Sequence, residues 1–189
     1  MRRLRTCPEV PDPPEGLRMI GEHTLKLDPI GAGQFLWLHR QGVSASLLAS
    51  ISPVQVATGY SDADGKFEPG PGETFIVFEE PEDLIFWQPK TGELLTWNGR
   101  SFALNEAHIW NPATYSFDAN LNIFSDVLDW LRADCDGVVV IDWSRAFDQL
   151  REAPRVAIAE NLLKTYRRSM QPRRMPTLSV IPNIERRAA

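Results

Sequence analysis

At 189 residues, with 43% hydrophobic and 24% charged side chains, the chain has ordinary globular composition and enough length for one well-buried core, or a core with a small lobe. No apolar run approaches the roughly 20 residues a membrane helix needs, and the basic start Met1-Arg-Arg-Leu-Arg-Thr-Cys-Pro has no apolar segment behind it, so it does not read as a secretory signal. The net charge of −5 conceals an asymmetry: residues 61–136 carry 15 acids against 4 bases, whereas residues 151–189 carry 9 bases against 3 acids.

Cys7 and Cys135 belong to no C-x-x-C pattern, which supports neither a disulfide framework nor a zinc site and fits free thiols in a cytoplasmic protein. The basic C-terminal segment is the charge pattern expected of nucleic-acid contact, or of a solvated helix face with a soluble end.

Four prolines and Gly16 make residues 1–16 an extended leader, and Leu17 to Leu27 can form a short strand or hairpin. Asp28-Pro29 reads as the cap and first residue of a helix. Gln34 to Arg40 supplies its apolar stripe, Gly42 ends it, and Ser44 caps a second helix from Ala45 to Ile51. The pair has the outline of a helix-turn-helix, but its second helix carries no basic or amide side chain to read base edges, so a packing corner is expected.

Short β segments follow at Val54–Tyr60, Thr74–Glu79, Leu84–Gln88 and Glu93–Trp97. Asp62-Ala-Asp-Gly65 predicts a tight turn; it lacks the closing Glu of a calcium loop. Asn98-Gly99 predicts a hairpin into Arg100–Leu104, completing an antiparallel meander with Trp87 and Trp97 in its core. Asn105 to Asn120 reads as a loop.

From Leu121 the pattern changes. Leu-Asn-Ile-Phe (121–124), Gly-Val-Val-Val-Ile (137–141) and Arg-Val-Ala-Ile-Ala (155–159) each end on polar residues that open a helical pattern. Such alternation predicts βαβ units with parallel strands, whose polar tips share one rim. The last helix, Asn161 to Met170, has an apolar face and a basic end; Thr177–Ile181 could add an edge strand. The predicted fold class is therefore α+β with an α/β C-terminal half. The divisions are a leader at 1–16, a helix pair and antiparallel lobe at 17–120, a parallel unit at 121–181 and a basic tail at 182–189.

The order of parts resembles the toprim-type core of bacterial and mobile-element DNA primases. The likeness rests on Leu36-Trp-Leu-His-Arg-Gln-Gly-Val-Ser, Thr58-Gly-Tyr60, Phe75-Ile-Val-Phe-Glu, Leu84-Ile-Phe-Trp-Gln-Pro-Lys-Thr-Gly and Asn111-Pro-Ala-Thr, and spans about residues 35–170. It implies a parallel toprim-like unit in which a Glu after the first strand and an Asp-x-Asp after a later one hold Mg²⁺ for phosphoryl transfer. Here Ser125 stands at the Glu position and Asp129 at the downstream Asp; Glu160 takes the first acid position of the second motif and Leu162 the second. A hydroxyl does not replace a carboxylate, and a Leu cannot ligate.

Asp142 adds a third acid at a strand end. Asp126, Asp129, Asp142 and Glu160 are thus the candidate catalytic residues, with Asp129 and Glu160 as candidate metal ligands; the competing reading is that these acids cap the following helices. Asp134-Cys-Asp136 precedes a strand and reads as a loop pair without metal. His23, His39 and His108 share no metal-ligand spacing.

The expected function is a non-catalytic toprim-like module that binds DNA, RNA or a replication partner through Lys164, Arg167, Arg168, Arg173 and Arg174. The alternatives are a divergent Mg²⁺-dependent phosphoryl-transfer enzyme using the four acids, and a small protein-interaction domain.

Overall fold

The computed structural model describes residues 25–50 and 55–172. The leader, Ile51, Val54, His23, Cys7, the Thr177–Ile181 strand, Arg173, Arg174 and the basic tail lie outside the described residues. None of the described helices is long and apolar enough to cross a membrane. The chain is mixed α/β, with an antiparallel sheet and a second, mixed sheet that contains three parallel strands.

The expected N-terminal helix starts later than Asp28. Asp28–Pro29 forms a short edge strand, β1, paired with Val56 and Gln55; an edge is where the missing proline N–H costs nothing. Helix α1 spans Ala32–Arg40. Gly31 precedes it in extended conformation, and the Gln34 side chain accepts from the Gly31 N–H at 3.0 Å. Gly42 turns the chain at φ 93°, and Ser44 Oγ accepts from Leu47 N at 3.1 Å to start α2, Ala45–Ser50.

The meander consists of β2 (Gln55–Ser61), β3 (Phe67–Pro69), β4 (Glu73–Glu80), β5 (Asp83–Gln88) and β6 (Glu93–Thr96), in the order β1-β2-β4-β5-β6 with β3 beside β2. Asp62 closes the β2–β3 turn as predicted, accepting from the N–H groups of Asp64 and Lys66 at 2.9 and 2.7 Å. The Thr58-Gly-Tyr60 step lies inside β2. A Cβ on Gly59 would run into the Phe67 ring and the Glu68 carbonyl, so packing alone accounts for that glycine.

β4 and β5 bury both faces, as their continuous apolar runs require. Phe75, Val77 and Phe86 face an outer cluster where Phe67 stacks on Phe86 with ring centroids 3.8 Å apart. Ile76, Phe78, Ile85 and Trp87 face an inner cluster with Leu38, Val43 and Leu48 of the helix pair.

The strand expected at Arg100–Leu104 does not complete a hairpin with β6. Asp83, only 5% exposed, accepts from the backbone N–H groups of Leu84, Asn98, Arg100 and Ser101 at 2.9, 2.7, 2.7 and 3.1 Å. These bonds turn the chain away from the meander. β7, Ala103–Leu104, then pairs antiparallel with β9, Val138–Val140, in the second sheet. Asn105–Asn120, expected as a loop, forms helix α3 (Ala107–Trp110) and 3₁₀ turns over Pro112–Asp118, which Asn111 opens by accepting from Ala113 N at 3.0 Å.

The second sheet has the order β10-β8-β9-β7, with β8 (Leu121–Phe124), β9 and β10 (Val156–Ile158) parallel, as predicted. Side chains alternate across it with period two. Leu104, Phe124, Val139 and Ile141 join the inner cluster, together with α4 (Val127–Arg132). Ala103, Leu121, Ile123, Val138 and Val140 face a third cluster, covered by α3, α5 (Ala146–Leu150) and α6 (Leu163–Ser169). The inner cluster draws on residues either side of 120, and Trp130 seals it edge-on to Phe78 at 5.6 Å.

Removing the Asp83 carboxylate strands buried N–H donors at the crossing. Asp83→Ala should lower the unfolding free energy by about 3 kcal/mol in a urea titration; a loss below about 1 kcal/mol contradicts this account. Burial by itself raises the Asp83 carboxyl, but the N–H donors outweigh it and hold the group below its ordinary value. A depressed carboxyl stabilises fully above the unfolded value of about 3.9 and loses that contribution as pH falls through the folded value. Wild-type stability should therefore fall more steeply below about pH 4 than that of Asp83→Asn.

Candidate functional site

The parallel register aligns Phe124, Val140 and Ile158 near one rim, so Asp126, Asp142 and Glu160 follow three strand ends on the same side. From β8 the chain passes through α4 to β9 on one side, then through α5 to β10 on the other.

Three of the four candidate acids are occupied locally. Asp126 is extended (φ −149°, ψ 162°) and accepts from Asp129 N at 2.9 Å, capping α4. Asp142 accepts from Ser144 N at 3.0 Å and from its hydroxyl at 2.6 Å. Asp129 pairs with Arg132 one turn on, at 2.9 Å. Glu160 opens a 3₁₀ turn, Glu160–Leu162, capped by Ala159 without a side-chain bond, and is exposed. Leu162 packs into the third cluster. Among the described residues, no three His, Cys, Asp or Glu side chains are grouped to hold a metal ion. The geometry thus favours capping for Asp126 and Asp142, and does not assemble Asp126, Asp129, Asp142 and Glu160 into one ligand set.

A cleft of about 610 Å³ opens at the opposite rim, where the chain enters β9. Asp134 and Cys135 have left-handed backbone (φ 51° and 61°), and Gly137 sits at φ 132°. The Asn105 amide holds this turn by donating to the carbonyls of Cys135 and Gly137, both at 3.0 Å, and Trp130 Nε1 donates to Gly137 O at 3.0 Å. Phe78, Leu104 and Trp130 give the cleft an apolar floor; Glu79, Glu80, Asp134 and Asp136 line it without any Lys or Arg.

Burial raises Glu80 above the ordinary carboxylate value; the N–H groups of Asn105 and Glu106 oppose this, and the charge of Glu106 adds to it. His108 Nδ1 is buried here without a hydrogen-bond partner. Four carboxylates uncompensated by a lining cation repel phosphate, so this cleft is not where a nucleic acid would lie.

Cations gather on α6 instead. Lys164, Arg167 and Arg168 are exposed and spaced i, i+3, i+4 on one helix face, while Leu162, Tyr166 and Met170 pack into the third cluster. None of the three cations is ion-paired within the described residues. Arg155, from the same basic segment, serves another purpose. Its guanidinium donates to Tyr115 O at 2.7 Å, Asp118 Oδ1 at 3.0 Å and Ala119 O at 3.1 Å. The loop it ties down carries the fully exposed Phe117. No periodicity or motif marks Arg155 or Phe117 in the sequence, because both roles depend on segments about 40 residues apart.

Burial, with the charge of Asp134 adding to it, pushes the Cys135 thiol up to about 12. In a Cys7→Ser variant at pH 7.5, Cys135 should react with a disulfide reagent at least about 100-fold more slowly than in urea, where its thiol returns to about 8.5. Equal rates would overturn this placement. No family model matches the chain, and no curated protein and no solved structure matches it.

Proposed function

We propose that this chain is a non-catalytic nucleic-acid-binding module, built on a toprim-like parallel unit and using α6 as its contact surface. The observation that carries the reading is the Lys164–Arg167–Arg168 stripe. It is exposed, lies on one face and is not ion-paired within the described residues, whereas the acidic cleft sits at the N-terminal rim of the parallel strands. Three cations at that spacing can follow a phosphate backbone and gain affinity by releasing condensed counterions. The non-catalytic part is supported by the rim. Asp126 and Asp142 spend their carboxylates on backbone N–H groups, and a hydroxyl and an apolar side chain stand where the toprim resemblance expects acids.

Binding of a labelled oligonucleotide, followed by anisotropy across a salt series, tests this. Affinity should fall linearly on a log–log plot. Replacing Lys164, Arg167 and Arg168 together by Ala should flatten the slope by about 2–3, since each phosphate contact contributes about 0.7–0.9. Adding Arg173→Ala and Arg174→Ala should flatten it further. Binding that ignores salt, or that survives the triple change intact, removes the reading.

A further inference from the structure

The loop Tyr115–Ala119 holds an arrangement that folding alone does not reward. Phe117 has left-handed backbone (φ 53°, ψ 37°) and the next residue, Asp118, is left-handed as well (φ 63°). Side chains of L-residues are disfavoured there, and such conformations persist only where the surroundings enforce them. The Phe117 ring recovers nothing from burial, being 104% exposed relative to its reference.

The surroundings nevertheless enforce it. Arg155 bonds to acceptors on both sides of the tip, Tyr115 Oη donates to Ile109 O at 2.8 Å, and Thr114 Oγ1 donates to His108 O at 2.9 Å. The ring is therefore presented rather than left over. Trp110, also exposed, belongs to the same tethered segment.

We infer that Phe117 is a stacking platform for an unpaired base, so that the favoured ligand is single-stranded nucleic acid; this rests on the nucleic-acid reading above. Two observations select that occupant. Tyr115, at the foot of the loop, packs into the same cluster as Tyr166 of α6 and Met170 just after it, so the loop and α6 cover the same face of the second sheet. The carboxylate beside the ring, Asp118, is already held by Arg155 at 3.0 Å, which offsets its repulsion of phosphate. Exposed aromatic rings and cations on one face bind single strands without regard to sequence, because every base has a flat face, and a duplex keeps those faces in its own stack.

The test compares labelled single-stranded and duplex oligonucleotides of matched length against wild type, Phe117→Ala, Phe117→Trp and the Arg167→Ala/Arg168→Ala double variant. Thermal unfolding should be unchanged in Phe117→Ala, since the ring touches no core. Wild type should prefer the single strand. Phe117→Ala should lose about tenfold in affinity for it while keeping its duplex affinity, and Phe117→Trp should retain binding. The double variant should weaken both ligands. Undiminished single-strand binding by Phe117→Ala, or an equal loss toward duplex, overturns the stacking role while leaving salt-dependent binding standing. Absence of salt-dependent binding to either ligand overturns the underlying reading as well, and leaves the ring to a protein partner.

Discussion

A single buried carboxylate decides how the two sheets of this protein are joined. Asp83 opens β5, and its two oxygens take up N–H groups from Leu84, Asn98, Arg100 and Ser101. The Asn98-Gly99 dipeptide by itself favours a return along β6, and the Asp83 acceptor holds the backbone beyond it on another course. With it, the chain leaves the meander, and β7 joins the parallel strands, where Phe102 O also accepts from Ile141 N and Asp142 N at 2.9 and 3.1 Å. A charged group is tolerated in that interior because four donors replace its water. The inner cluster, which takes side chains from the meander, the helix pair and the second sheet, exists because of this crossing.

The crossing also sorts the charges. Asn105 follows β7 and reaches into the turn before β9, which fixes the acidic cleft at the N-terminal rim of the parallel strands. On the sheet's other face α6 covers the third cluster and turns its cations outward. Carboxylates gather at the first surface and cations unpaired among the described residues at the second, a division that the overall net charge of −5 conceals.

Arg155 illustrates how a cation in a basic segment can be structural while its neighbours stay available. It sits just before β10, and its bonds to Tyr115, Asp118 and Ala119 hold two consecutive left-handed residues at the loop tip. Strain of this kind is paired with the complete exposure of the Phe117 ring. The tether sets the backbone that carries the ring, while the ring itself makes no contact that fixes its rotamer.

Local patterning was enough to place most strands and helices, because burial on one or both faces writes itself into the period of the apolar residues. The runs at 121–124, 137–141 and 155–159 therefore read correctly as parallel strands, and the meander strands from Thr74 to Trp97 read nearly to the residue. Short-range signals failed where a distant group outbid them. Asp28-Pro29 became an edge strand because β2 lay ready to pair with it, and Asn98-Gly99 did not make its hairpin because Asp83 captured the backbone beyond. The candidate acids were legible as residues at strand ends, but whether a carboxylate caps its own helix or meets other acids depends on side-chain direction, which spacing does not encode. The composition marked Lys164, Arg167 and Arg168 as cations of one helix; only tertiary packing decided that their face points outward, that Arg155 does not join them, and that Phe117 stands beyond the surface, since each of those depends on contacts between segments far apart in the chain.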